Sequence, residues 1–341
     1  MDLLINVFGT KISCKKERII LSFPKKIKGV SRKKEEYPIR KIDKITILRA
    51  SSITMHAVKL AMDYDVDISF LGKFGKPLGR FLPSEPKGLA TTRRAQLETV
   101  VSPEKSFKFA KLFIKAKCSS QIAHMFYWAG KYGKDLSNEI GKASIMLDVI
   151  DGIPCGNKDK DQLRGIEGKI AVCYFSALRK FFIFPGRKPQ GRDKFNSALN
   201  YGYGFMYNEI EKACFYAGLD PSLGLLHAEG YNKSSLVYDL IEEFRVVAVD
   251  SVIFPLFMEM KIDRQKCFSR VGKYAYQLSA EGKAVIAEAV LTRLNEKFLW
   301  KGKNRILKDI IKDQSYSIAR AFLEKEEYTP FKFKPLYSPL R

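Results

Sequence analysis

Four residues in the second half of the chain have the types and spacing to do chemistry together. In SLVYDLIEEFR, Asp239, Glu242 and Arg245 fall at i, i+3 and i+6. On a helix they step around one side by about 60° each, opposite an apolar arc of Leu236, Leu240, Phe244 and Val247. His227, one of only three histidines, stands just before this segment in the glycine-bounded stretch GLLHAEG. Glu167 sits in LRGIEGKIAVCYF, between Gly165 and Gly168 and among small and apolar residues. A carboxylate there is poorly explained as part of a solvated face, and a buried acid needs a partner. A metal ion can hold several such acids at once. One imidazole with two or three carboxylates and no thiolate is a hard, oxygen-rich set, suited to Mg²⁺ or Mn²⁺ rather than structural zinc. Such a site leaves positions for water and a phosphate oxygen, which is the equipment of metal-assisted phosphoryl transfer on nucleic acid. Arg245 is then placed to brace a phosphate. Against this, any surface helix carries a polar face. On these residues alone an ordinary amphipathic helix and a metal site both stand.

The charge balance favours a polyanionic partner. Sixty Lys and Arg against 37 Asp and Glu leave +23 on 341 residues, and each phosphate such a surface neutralises releases counterions. With 46% hydrophobic and 12% aromatic residues the chain can build a large core and is not mainly disordered. The six cysteines are scattered, with no C-x2-C pair, which argues against zinc and a disulfide framework and fits a reducing cytoplasm. The N-terminus has no signal pattern and no apolar run is long enough to span a membrane.

The elements that must position these residues read as two regions. Residues 1–84 are a β-rich module: LLINVFG, RIILSF, KITILRA, VDISFLG and PLGRFLP read as strands, with one helix in SITMHAVKLAMDYD. His56 lies in that helix and reads as structural. Pro83, Pro86 and Gly88 mark a linker, taken as 85–94. From 95 to 326 the periodicity predicts only helices, at 103–132, 135–150, 162–183, 193–217, 234–254, 280–300 and 304–326. Ser234, Ser279 and Asn304 are candidate N-caps, and Gly218 a candidate C-cap. Residues 327–341 read as an extended basic and aromatic arm. The expected fold class is α+β: a β-sandwich-like N-terminal domain with one helix, then a larger all-α catalytic domain.

Motif order adds a resemblance. LRGIEG, FNSALNYGYGFMY, GLDPSLGLLHAEG and SLVYDLIEEFR, with ITMHAVKLAMDYDVDISFLGKFGKPLGRF in the first domain, resemble the CRISPR-associated protein 1 family over nearly the whole chain. That family holds the endonucleases and integrases that insert new spacers into CRISPR arrays. The resemblance implies divalent-metal ligands at Glu167, His227 and Glu242, a second acid near the metal at Asp239, and a basic residue beside it at Arg245. Asn196, Asn200 and Tyr201 match a motif of site-supporting residues. It also implies a homodimer, two of which flank a dimer of CRISPR-associated protein 2, acting on double-stranded and branched DNA. Arg93 and Arg94 are candidate phosphate contacts. A non-catalytic nucleic-acid scaffold and a junction-resolving repair nuclease are the alternatives.

Overall fold

A computed structural model describes residues 1–24, 34–72, 77–82, 89–154, 159–189, 191–227, 230–231, 233–272 and 275–333. The chain divides into two compact units, Met1–Glu85 and Pro86–Arg341.

The first unit is two four-stranded sheets and a helix. Strands β1 (Asp2–Ile5), β5 (Lys44–Ile47), β7 (Asp67–Leu71) and β8 (Pro77–Phe81) form one sheet in that order. β1, β5 and β7 run parallel, and β8 returns antiparallel. The second sheet has the order β4 (Lys34–Pro38), β3 (Arg18–Ser22), β2 (Lys11–Lys15) and β6 (Ser52–Ile53). Helix α1 (Met55–Asp63) is capped by the Thr54 hydroxyl, which accepts from the Ala57 N–H at 3.3 Å. Both sheets and α1 bury one shared core that includes Ile5, Ile12, Ile19, Ile45, Ala57 and Ile68. Strand β2 carries two lysines and β4 one lysine and two glutamates, and both are short, so their alternation is weak in the sequence. β4 lies at a sheet edge, where charge discourages pairing with other chains.

The second unit is mostly helical: α2 (Leu89–Val101), α3 (Pro103–Tyr132), α4 (Ser137–Val149), α5 (Asp159–Arg179), α6 (Lys194–Tyr216), α7 (Ser235–Leu240), α8 (Ser251–Met258), α9 (Ala280–Leu294) and α10 (Leu307–Phe322). The α+β class is the one expected, with three local corrections. Of the expected linker, 85–88 lie outside the described residues and 89–94 are the first turns of α2. That helix is held by Gln96, which donates to the carbonyls of Asp220 and Leu223 at 2.9 and 3.0 Å and accepts from the Asp220 N–H. Two short ribbons interrupt the helices: β9 (Phe268–Arg270) with β10 (Tyr276–Leu278), and β11 (Lys297–Trp300) with β12 (Lys303–Ile306). The second ribbon turns on Lys301 and Gly302, both at positive φ, the geometry a two-residue hairpin loop demands. Asn304 is therefore a strand residue and not a cap. Ser279 does cap α9, accepting from Gly282 N–H at 3.0 Å, and Ser234 precedes α7 without a capping bond. Gly218 follows α6 at φ +76°, closing that helix in the left-handed region.

The third correction concerns the tail. Residues 334–341 lie outside the described residues, but Tyr328, Phe331 and Phe333 are buried. Tyr328 and Phe331 converge on Glu243, which accepts from the Tyr328 hydroxyl, from Phe331 N–H at 2.6 Å and from Gln314 Nε2 at 3.0 Å, while Phe333 N–H donates to the Ser120 hydroxyl at 3.2 Å. Phe331 stacks on Phe244 with centroids 5.4 Å apart. Periodicity could not show this, because the partners are single residues far apart in sequence. Burial pushes the Glu243 carboxyl up to about 7, against three hydrogen bonds that favour its ionised form. The native state therefore holds a proton that an unfolded glutamate sheds near 4.5, and stability falls as pH rises through this window. Asp250 acts likewise, with burial raising it to about 6. Glu243→Gln should lose the upper part of this dependence. Between pH 6 and 8 the wild type should lose about 1 kcal/mol more than the variant, or a few degrees of Tm, the variant keeping only the smaller Asp250 part. Thermal melts in a metal-free pH series read this directly.

Candidate active site

The site is assembled by four elements of the helical unit. Helix α3 runs through this unit and packs on α5 and on the segment after α7. That segment is not the single helix predicted over 234–254. After α7 the chain tightens into a 3-10 turn at Ile241–Glu243, then widens into a π-helix at Arg245–Asp250 before α8. Such π segments recur at functional sites because they re-aim side chains within one helix. Gly202 lets α6 approach this segment closely: a Cβ there would lie 2.8 Å from Ile253 Cδ1 and 2.9 Å from Val249 Cγ1.

Two carboxylates meet at one point. The Lys117 ammonium, from α3, donates to Glu167 Oε1 on α5 and lies 2.7 Å from Glu242 Oε2 on the 3-10 turn. Arg245 pairs with the other Glu242 oxygen at 3.0 Å. Its guanidinium rests over the Tyr203 ring, 4.9 Å from the centroid. Burial, the largest influence on Glu242, raises its carboxyl, but Arg245 and Lys117 together outweigh it and bring it down to about 2. Burial likewise pulls the Lys117 ammonium down, and Glu242 and Glu167 reverse that to a net rise. Glu242 thus carries its charge across the physiological range, which a cation ligand requires.

His227 is placed by Asp239. The fully buried Asp239 carboxylate accepts from the N–H groups of Leu225 at 2.5 Å, Leu226 at 3.0 Å and His227 at 3.0 Å. It also binds His227 Nδ1 at 2.6 Å. Since an ionised carboxylate only accepts, Nδ1 carries a proton, and in the neutral imidazole Nε2 keeps its lone pair. Ser106 on α3 donates to the Leu225 carbonyl at 2.9 Å, and Arg164 on α5 to that of Leu226 at 3.3 Å. The loop is therefore tied to the same helices that carry Lys117 and Glu167.

The sequence reading is sharpened in three places. Asp239 touches the histidine loop and positions it; its oxygens are spent there. Arg245 has Glu242 and Tyr203 as partners, so it braces a carboxylate of the site. Asn196 and Asn200 organise the loop before α6, Asn196 through Gly186, Arg187, Lys188 and Asp193, and Asn200 through a 3.5 Å approach to the Gly191 carbonyl. Tyr201 is buried against Phe205. The second tyrosine of the same motif, Tyr203, is the one under Arg245, and its hydroxyl is fixed by Asp250 at 2.5 Å. Tyr203 and Lys117 were missed. For Lys117 a signal existed: it stands three and four residues from Ile114 and Phe113, both buried, on a face of α3 where a lysine is out of place. Arg93 and Arg94 are exposed on α2 and take no part in this cluster.

Residues 3–291 match the sequence profile of the CRISPR associated protein Cas1 family. The chain belongs to that family. The CRISPR-associated endonuclease Cas1 1 of Archaeoglobus fulgidus is 32% identical over 335 residues, covering 91% of this chain and 93% of that protein. In structure the chain resembles a casposase bound to integration product, with TM-score 0.81, 26% identity and coverage of 100% and 95%. It also shares its fold with a CAS1 protein from Thermotoga maritima, with TM-score 0.71, 18% identity and coverage of 96% and 99%. Among the described residues no three histidine, cysteine, aspartate or glutamate side chains are close enough to hold a metal ion as they stand. Also among the described residues, no helix is long and apolar enough to cross a membrane.

Proposed function

We propose that this Cas1-family chain is a divalent-metal-dependent DNA endonuclease and integrase that joins captured DNA fragments to a CRISPR array. The observation that carries this reading is the convergence of Glu167 and Glu242 on a single positive charge, with His227 tied to the same helices. The donor set fits Mg²⁺ or Mn²⁺. Glu242 Oε2 is buried and its close partner is the Lys117 ammonium at 2.7 Å, so this oxygen already serves a cation. Asp239 leaves Nε2 of His227 as a ligating atom, so Glu167, Glu242 and His227 are the residues that would hold the ion. When bound, it would polarise a phosphate oxygen and acidify the attacking hydroxyl. In joining, the fragment's 3′ oxygen bonds to phosphorus and the bond from phosphorus to the resident strand's 3′ oxygen breaks; that oxygen leaves with a proton. In cleavage, water supplies the nucleophile.

The chain's own residues do the holding. Arg245, fixed between Tyr203 and Glu242, keeps Glu242 ionised and oriented. Gly165 and Gly168 flank Glu167 with no atom within 4 Å of where a Cβ would be. Helix-interior glycine costs about 0.5–1 kcal/mol relative to alanine, so this open surface is where a DNA backbone would approach. Arg93, Arg94 and the exposed Lys297, Lys301 and Lys303 of the β11–β12 ribbon are proposed phosphate contacts. The proposed partners are double-stranded and branched DNA, a second copy of the chain, and a CRISPR-associated protein 2 dimer.

The test measures two things on one preparation. Branched DNA should be cleaved, and 3′-hydroxyl fragments joined to a repeat-bearing duplex, only when Mg²⁺ or Mn²⁺ is added. Duplex affinity should fall with salt at a log–log slope of about −5, as for five or six neutralised phosphates. Metal-independent turnover would overturn the catalytic assignment. Metal-dependent cleavage of branched DNA without any joining would favour a repair nuclease. Salt-sensitive binding with no turnover under any metal would leave a scaffold.

A further inference from the structure

The pair of carboxylates in this site already has a cation of the protein's own. Lys117 is a nearly buried residue, with 12% of its side chain exposed, and Glu167 and Glu242 are its only ionic partners among the described residues. A divalent ion bound to the Glu242 oxygen would sit about 2.1 Å from it, and Nζ is 2.7 Å from the same oxygen. The two cations would then be no more than about 5 Å apart, in a site where burial weakens screening. Charge counting leads the same way. Glu167 and Glu242 carry two negative charges, and Lys117 and Arg245 balance them. Adding a divalent ion to that neutral group leaves two positive charges in excess. If Lys117 leaves, the excess is one, which a phosphodiester matches.

Arg245 cannot be the residue that yields, because Tyr203 holds its guanidinium and Asp250 holds Tyr203. Lys117 has a flexible four-carbon stem and a point charge that can find another oxygen. We propose that Lys117 is a built-in competitor of the metal, occupying the carboxylate pair when no ion is bound and giving it up, toward the incoming DNA phosphate, when one binds. The proposal rests on the metal-dependent reading above and concerns what the empty site does. It implies that the protein holds metal weakly without DNA and that phosphate and metal bind together more tightly than either alone.

The experiment measures Mn²⁺ binding by electron paramagnetic resonance, without DNA, for the wild type, Lys117→Met, Lys117→Gln, Lys117→Arg and Glu242→Gln. Removing the lysine charge should tighten Mn²⁺ binding by about tenfold or more, although a side chain of the site has been lost. Lys117→Arg, which keeps the charge, should bind no more tightly than the wild type. In thermal melts the Met and Gln variants should be less stable without metal and gain more from added Mn²⁺ than the wild type does. Gln can still donate one hydrogen bond to a carboxylate, so it keeps the test available should Met not fold. If the wild type binds Mn²⁺ through Glu242 and the neutral variants bind it equally or more weakly, Lys117 is no competitor and the proposal fails alone. If no variant binds Mn²⁺ and Glu242→Gln matches the wild type, the metal reading fails with it.

Discussion

Glu242→Gln should lower metal-dependent cleavage and strand joining by roughly a thousandfold or more, the scale of removing an ion worth several kcal/mol to the transition state. DNA affinity should stay within about twofold, because it rests on basic residues spread over the surface. The asymmetry follows from the geometry. Glu242 is buried, ionised, bonded at one oxygen to Arg245 and, at the other, shares the Lys117 charge with Glu167, the only residue to do so among the described residues. The amide loses the negative charge and sets an N–H₂ group against either Lys117 or Arg245, both donors. Excess Mn²⁺ should restore little. His227→Ala removes a neutral donor from a loop whose other anchors remain, and excess Mn²⁺ should recover part of its activity. Parallel rate and affinity measurements on the two variants decide the matter: turnover of Glu242→Gln within tenfold of the wild type would sink the assignment.

Folding adds a second consequence for the same residue. Glu242 sits near 2 in the native state and 4.5 in the unfolded chain, so its ion pairs stabilise the fold above pH 4.5 and are lost as pH falls toward 2. Its chain neighbour Glu243 titrates in the opposite sense. Two adjacent carboxyls in one buried turn thus titrate on opposite sides of the ordinary glutamate value, because two cations outweigh burial at one and burial outweighs three neutral donors at the other.

Much of this architecture was legible in the sequence. The β-rich first unit and the helices α3, α4, α6 and α10 followed from apolar spacing, since each presents a regular face to a core. Glu167 stood out as an acid without a solvated face, and it does share a buried charge. What the sequence hid has a common cause. The register changes after Leu240 depend on how α6 packs through Gly202, and periodicity assumes one uniform helix. The Lys301–Gly302 turn is a hairpin signal of unusual composition, so the flanking apolar residues read as helix. The docking of Tyr328 and Phe331 depends on Glu243, about 85 residues away along the chain. Lys117 was overlooked because a lysine on a helix is ordinary until its neighbours on all sides are known to be buried.

The last expectation concerns Asp239, the second acid expected near the metal, whose carboxylate holds the His227 loop. Asp239→Asn keeps the shape and removes one of two acceptor oxygens. In the native site one oxygen takes the Leu225 and Leu226 N–H groups, and the other takes His227 N–H and Nδ1. An asparagine can serve only one of these pairs. If its oxygen keeps the leucines, its N–H₂ group faces the His227 amide, donor against donor, and Nδ1 must become an acceptor. The ring proton then moves to Nε2, and the lone pair proposed to ligate the metal is gone. If its oxygen keeps the histidine, the leucine amides are buried without a partner. Either way stability should drop by about 1–3 kcal/mol, and turnover should fall about 10–100-fold, as when the residue orienting a metal-binding histidine is changed. Metal binding should weaken in step with turnover, which loss of folding alone would not produce in the fraction that remains folded. The chain has only three histidines, so ¹⁵N shifts of the imidazoles can read the tautomer of His227 directly. The wild type should show the proton on Nδ1 in the metal-free state. A variant with wild-type stability, an unchanged tautomer and full turnover would return Asp239 to the status of an ordinary polar residue.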